Sequence, residues 1–388
     1  MQTSTTSRIL VHLPTSSAGP GVYADPNRAK LDSWIRRYGT SSNSYVLLEG
    51  PKSYFTSPNV DGFLAYQISG GIALIAGDPV CAPNHARQLI HDFAMAMMRP
   101  VGAYQVSPPM LEAFRQEGFD DLQIGKEAVF DLERFTLAGG EMELVRAATN
   151  KARREGVVVS EHHPFALGAE AIDDELKEIS NEWLKGKGNQ ELGFVLGSLG
   201  LEQPSAKRYF VARSKNGEGR IEGFIICEPI YGRNGYYLDV TRRRWDSVRG
   251  TMELLTAEIL RLLREEGCDM ASMGLAPLAL LDDPDLVDHP LLTRLMRFVY
   301  QRVNVSYDFK LLYRYKAKYH PHAWESRYFC FNQRRLSLGM LYAVVHVRNA
   351  TSLRRFLGQG GFQQRFRTWK HAASIIIGFC WALLSSSW

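Results

Sequence analysis

YYLDVTRRRWDSVRGTMELLTAEILRLLREEGCDMASMGLAP, residues 236–277, reads as strand, basic turn, amphipathic helix and second strand. Tyr236, Tyr237, Leu238 and Val240 have the aromatic and β-branched character of a strand. Met252, Leu255, Ile259 and Leu262 then recur at helical spacing, with Glu253, Glu258, Arg261 and Glu265 off that stripe. Gly267 closes the helix, and 270–275 reads as the next apolar strand. Between the first strand and the helix stand Asp239, Arg242, Arg243 and Arg244, then Arg249 and Gly250. Backbone N–H groups and the positive end of the helix dipole make such a corner an anion site.

Outward from this unit, the chain predicts an α/β fold with mixed sheets. A meander of short strands at 45–48, 53–56, 62–68 and 72–76 is punctuated by Gly50-Pro51, Pro58-Asn59 and Gly70-Gly71. A helix over 84–98, a strand over 102–106, a helix over 109–117 and a strand over 128–132 follow. Helices over 143–155 and 172–184 come next. The order then repeats: strands over 207–212, 221–229 and 235–240, the helix and strand of the opening stretch, helices over 290–303 and 309–318, and a strand over 324–331. Four segments result: a Ser/Thr/Pro/Gly-rich leader at 1–27, similar half-chains at 28–160 and 161–333, and a tail at 334–388.

The 388 residues are 45% hydrophobic and 22% charged, which excludes a disordered chain. Five scattered cysteines, none in CxxC, argue for reduced thiols in a cytoplasmic setting rather than a disulfide framework or zinc site. His320 and His322 in HPH lack a carboxylate or Cys partner at ligand spacing, so no metal is expected. No Walker loop or GxGxxG is present, which argues against ATP and dinucleotide cofactors. Nine Lys/Arg and no acid follow Glu325, leaving 37 basic against 41 acidic residues before it. A basic tail on a mildly acidic body suits docking to an anionic surface. The tail's apolar run AASIIIGFCWALL, about 13 residues or roughly 20 Å as a helix, falls short of the roughly 30 Å hydrocarbon core. Lying in the membrane interface fits it better than a span, the alternative being a helix packed on the second half.

Several runs, in order, resemble the soluble catalytic domain of the phosphatidylglycerol lysyltransferase family, the aminoacyl-tRNA-dependent lipid aminoacylases also called multiple peptide resistance factors. They are SNSYVLLEGPKSYFTSPNVDGFLAYQ (42–67), AGDPV (76–80), YQVSPPML (104–111), IGKEAVFDL (124–132), ATNKARREG (148–156) and SNEWLKGKGNQELGFVLG (180–197). They continue with LDVTRRR and GTMELL of the opening stretch, MGLAPLA (273–279) and YDFKLLYRYKAKYHPHAWESRY (307–328). The resemblance implies two tandem acetyltransferase-like (GNAT-type) units, aminoacyl-tRNA as acyl donor and a lipid hydroxyl, phosphatidylglycerol first, as acceptor. It implies a synthase without the membrane domain that flips the product in relatives. The tail departs from the family's usual ending and is expected to supply peripheral contact with the inner face of the membrane.

That chemistry is a transesterification, needing a grip on the ammonium and a cation at the developing oxyanion. The resemblance places Asp239 and Arg242 around the aminoacyl end, Asp239 on the ammonium and Arg242 on the ester or ribose. It places a required lysine at Lys316 or Lys318, and spacing alone does not choose between them. Arg243, Arg244, Arg249 and Gly250 are candidates for tRNA phosphates, and Trp324 and Arg327 for a substrate contact; a packed Trp with a snorkelling Arg is the bland reading of the last two. Beyond aminoacyl-tRNA as co-substrate, no cofactor is expected. Three rivals remain: another lipid alcohol such as a sterol as acceptor, acyl-CoA-dependent N-acylation, and a non-catalytic tRNA- or lipid-binding protein. RRRWDSVRGTM has one glycine where a pyrophosphate loop carries more, which weakens the acyl-CoA reading.

Overall fold

The computed structural model describes residues 26–187, 194, 197–201, 205–215, 219–277, 279, 309–333, 339–340 and 343–344. In chain order the helices are α1 (Pro26–Tyr38), α2 (Ala86–Met97), α3 (Pro108–Gln116), α4 (Glu143–Arg154), α5 (Glu170–Lys187), α6 (Thr251–Glu265) and α7 (Phe309–Ala317). The strands are β1 (Ser53–Phe55), β2 (Gly62–Ser69), β3 (Ile72–Ala76), β4 (Val80–Cys81), β5 (Val101–Val106), β6 (Asp120–Asp131), β7 (Val157–His162), β8 (Arg208–Ser214), β9 (Ile221–Ile230), β10 (Gly235–Arg243), β11 (Met270–Pro277) and β12 (Ala323–Phe331).

Both halves follow one plan. An antiparallel meander leads through a helix to a parallel neighbour, β3 to β5 through α2 and β10 to β11 through α6. Each half then sends its last strand across to the other. β6 pairs with β11 of the second half and β12 with β5 of the first, and β6 and β12 pair with each other at the centre. One mixed sheet results, ordered β1-β2-β3-β5-β12-β6-β11-β10-β9-β8-β7, with β4 on β2. The α/β architecture is thus a single sheet whose middle belongs to both halves.

Helices cover both faces, because the strands are apolar on both sides. In the first half Phe93, Met110 and Phe114 of α2 and α3 cover one face, and Trp34 and Ile35 of α1 cover the other. Met340, Ala343 and Val344, described residues of the tail, are buried on the α1 side. In the second half α4 and α6 pack one face, and Leu176 and Ile179 of α5 the other. Among the described residues no helix is long and apolar enough to cross a membrane.

Three readings are corrected. Residues 45–48 form a 3-10 turn, not a strand: Leu47 N–H bonds to Ser44 O and Glu49 N–H to Val46 O, the i→i+3 pattern, with all four side chains buried. The strand read as 128–132 starts at Asp120, because Gln123, Gly125 and Glu127 are polar or small residues turned into a polar interior rather than a loop. Val157–His162, left out of the sequence reading, is the edge strand beside β8. The predicted helix over 290–303, residues 1–25 of the leader and most of the tail lie outside the described residues.

Gly250 fixes the second half's packing. It has φ +92° at the start of α6, and a Cβ there would stand 2.1 Å from the Ala148 carbonyl oxygen of α4. Gly250→Ala is expected to lower stability by about 2–3 kcal/mol from strain and the forced separation of the helices, measurable by urea unfolding.

Candidate active site

β10 and β11 pair only where Gly235, Tyr236 and Tyr237 face Met270, Ala271 and Ser272. Beyond that point each strand carries a bulge. Asp239 is the extra residue of β10 against β9, between Leu238 and Val240. On β11 the register against β6 shifts between Ser272 and Leu275, where Gly274 takes φ +73° with the Tyr237 ring packed against it. Bulges re-aim side chains and release main-chain groups, and here both do so in the same cleft.

Lys316 answers the released carbonyls. Its Nζ donates to Gly274 O at 3.1 Å and Leu275 O at 2.7 Å. It shares the inner face of α7 with Leu312 and Tyr319, at i, i+4 and i+7, and is 3% exposed. Burial pulls its pKa down to about 7, against the charges of Glu127 and Asp239. Lys318 points elsewhere: it pairs with Glu253 of α6 at 2.6 Å and lies over Tyr315. Of the two lysines between which spacing could not choose, Lys316 is the one that reaches the released carbonyls.

Asp239 accepts the Gly197 N–H at 2.6 Å and the Tyr237 hydroxyl. Gly197 must lack a side chain, since a Cβ would stand 2.2 Å from Glu228 Oε1 and 2.3 Å from Asp239 Oδ2. Lys207 completes the pocket, donating to Glu49 at 2.6 Å, Glu228 at 3.1 Å and Ser198 O at 2.6 Å. Glu49 also accepts the Ser198 N–H and hydroxyl. Three carboxyl groups thus face Lys207, and the buried ammonium of Lys52 lies within range of Glu49 and Glu228. Burial holds Glu228, which is fully buried, well above the usual carboxylate range, and Asp239 is raised by the same cause. For Lys207 burial is outweighed by the charges of Glu228 and Glu49, which hold it cationic. Such a pocket gains when a further cation enters.

The other predicted residues are spread along the edges of this centre. Arg242, at the outer end of β10, lies 4.0 Å over the Trp183 ring and donates to Thr241 O. Arg243 reaches Ser247 and is exposed, as is Arg249. Arg244 is held by Glu175, Glu178 and Glu182 of α5, which fastens the basic turn to that helix. Trp324 packs on Tyr313, with ring centroids 5.0 Å apart. Arg327 is 2% exposed, bonded to Glu127 at 2.7 Å and Glu325 at 3.1 Å on the central strand pair. Sequence reasoning missed Glu49, Gly197, Lys207, Glu228 and Glu127. The readable signal was a single acid inside an apolar run, as in IICEPI.

A family model described as "Phosphatidylglycerol lysyltransferase, C-terminal" matches residues 33–331. The chain is 29% identical over 332 residues to phosphatidylglycerol lysyltransferase of Bacillus subtilis, covering 84% of this chain and 37% of that protein. It is 30% identical over 315 residues to the lysylphosphatidylglycerol biosynthesis bifunctional protein LysX of Mycolicibacterium gilvum, covering 78% and 27%. It spans little more than a third of such relatives at most. Among solved structures, L-PGS from Bacillus licheniformis superposes with TM-score 0.70 at 24% identity, over 88% of this chain and 99% of that one. The C-terminal domain of a putative lysylphosphatidylglycerol synthetase from Agrobacterium fabrum gives 0.69 at 24%, over 83% and 97%.

Proposed function

The chain belongs to the phosphatidylglycerol lysyltransferase C-terminal family, and from that premise we propose that it transfers a lysyl group from aminoacyl-tRNA to a hydroxyl of phosphatidylglycerol. The observation that carries this reading is the buried pocket of Glu49, Glu228 and Asp239, which holds more acid than Lys207 neutralises. The ammonium of an aminoacyl group supplies further positive charge, and Asp239 is the carboxyl placed to hold it.

The reaction forms a bond between the lipid oxygen and the acyl carbon and breaks the bond to the ribose oxygen. The lipid hydroxyl's proton ends on the released ribose. Charge builds on the acyl oxygen in between, and Lys316, with a third N–H that has no partner among the described residues, is the group that receives it. Arg242 stands at the mouth to meet the terminal ribose or phosphate. Arg243 and Arg249, exposed on the turn into α6, face the tRNA backbone, so binding weakens with salt. The basic tail adds on the order of 1 kcal/mol for each Lys/Arg that reaches an anionic leaflet, which makes the protein a peripheral partner of the cytoplasmic membrane face.

Mass spectrometry of lipids from an expressing host tests this. Lysyl-phosphatidylglycerol is expected to accumulate, and its formation in a cell-free extract is expected to stop when ribonuclease is added. A host with charged tRNA that yields no aminoacylated lipid, or synthesis that persists after ribonuclease, overturns the proposal.

A further inference from the structure

The first half carries a bulge where the second carries its own. Gln105 is the extra residue of β5 against β12, between Tyr104 paired with Phe329 and Val106 paired with Tyr328. It has φ +65°, a conformation that a non-glycine residue holds only when its surroundings enforce it. Around it lies a second buried polar cluster. Asn43 donates to the Gln105 side-chain oxygen at 3.3 Å and accepts the Ser41 hydroxyl at 2.9 Å. Asp78, 5% exposed, accepts the Ser107 N–H on Oδ1 at 2.8 Å. Its Oδ2 is buried with no hydrogen-bond partner among the described residues. A buried polar atom left in that state costs about 1–3 kcal/mol, so in the native chain a water or a ligand hydroxyl completes it.

This cluster and the reaction cleft share one bonded interior. Ser42, next to Asn43, donates to Glu127. Ser272 donates to the other oxygen of Glu127 and accepts the Gly274 N–H. Gly274 O in turn receives Lys316. The chemistry of the two ends differs. The end near Asp239 is acidic, whereas the end near Gln105 offers amides, a hydroxyl and one carboxyl. Burial pushes the Asp78 carboxyl up, against the Ser107 hydrogen bonds and the Arg327 charge. Arg327 itself is committed to Glu127 and Glu325. An end of amides, a hydroxyl and one carboxyl, with no cation free of other partners on the residues named, suits an uncharged polyol better than a phosphate.

We propose that Asp78, Gln105, Asn43 and Ser107 form an acceptor subsite that binds the second hydroxyl of a vicinal diol while the first is acylated. This rests on the lipid-transfer reading and deepens it. The terminal glycerol of phosphatidylglycerol has a primary hydroxyl beside a secondary one. Asp78 Oδ2 accepts the secondary hydroxyl's hydrogen, and the Asn43–Gln105 amide pair orients the same carbon chain. A site that hydrogen-bonds a substrate hydroxyl rejects the analogue lacking it, because its own buried group is then left unpaired.

The test compares phosphatidylglycerol with phosphatidyl-1,3-propanediol, which keeps the primary hydroxyl and lacks the secondary one, in mixed micelles with labelled lysyl-tRNA. The wild-type protein is expected to favour phosphatidylglycerol in kcat/KM by at least tenfold. In Asp78→Asn, which keeps the Ser107 contact, and in Gln105→Gly, which suits the positive φ and cannot fail through strain there, the preference is expected to fall toward unity. Should Asp78→Asn not fold, Gln105→Gly decides alone. A wild-type preference that the folded variants retain overturns the subsite and leaves the transfer reading standing. A wild-type protein that acylates neither lipid overturns both.

Discussion

Lys316→Met is expected to slow lysyl transfer by roughly 10²–10³-fold, the scale of removing one buried electrostatic donor from an acyl-transfer site. The same change relieves the burial of an ammonium but leaves the Gly274 and Leu275 carbonyls without their donor, effects of opposite sign, so the melting temperature is expected to shift little. A lysine buried among main-chain carbonyls is a poor contributor to stability, because most of its hydration is lost. The pH dependence follows from its titration. Lys316 has a folded-state pKa of about 7 against an ordinary 10.5, so between those values the unfolded chain binds the proton and the folded chain does not. Stability therefore rises with pH across that window in the wild type, and the methionine variant loses this slope. Activity runs the other way. The cation is complete below pH 7 and disappears above it, so the alkaline limb of kcat/KM should fall near pH 7. Rates at several pH values, beside thermal melts of the same samples, check all of this. A variant that melts early as well as losing activity would assign Lys316 a merely structural part.

The repeated order of strands and helices was legible because each element carries a periodic apolar signal of its own. The strand–turn–helix–strand of residues 236–277 is seen almost as read, from β10 through Gly250 and α6 to β11. The exchange of β6 and β12 between halves was not legible, since nothing local to a strand names the neighbour it will pair with. For the site, Asp239 and Arg242 came from a resemblance, and their spacing said nothing about the bulge that turns Asp239 inward. Glu49 meets Lys207 and Glu228 across more than a hundred residues of sequence, and of the three only Glu228, inside an apolar run, carries a local sign of burial. Lys316 was a candidate beside Lys318, and the choice between them was nearly within reach. Its place four residues after Leu312 on the buried face of α7 was in the sequence, and Lys318, two positions on, falls on another face.

Arg327→Met should be the most damaging single change to the fold, at about 3–5 kcal/mol. Arg327 and Glu127 are each 2% exposed and lie on the two strands that join the halves, β12 and β6. Their attraction offsets a large loss of hydration for both. Glu127 keeps its Ser42 and Ser272 hydrogen bonds when the arginine goes, but two hydroxyl groups do not replace a guanidinium. The residual carboxylate then strains the one strand pair on which both halves depend, so the loss is expected in global unfolding rather than in local fraying of an edge. The double variant Arg327→Met/Glu127→Gln separates the two contributions. With no charge left at the centre, at least about 2 kcal/mol of the loss should return. Urea unfolding of the four proteins in this cycle measures the coupling. A double variant as unstable as Arg327→Met alone would mean that the packing of the arginine, and not its charge, holds the sheet together.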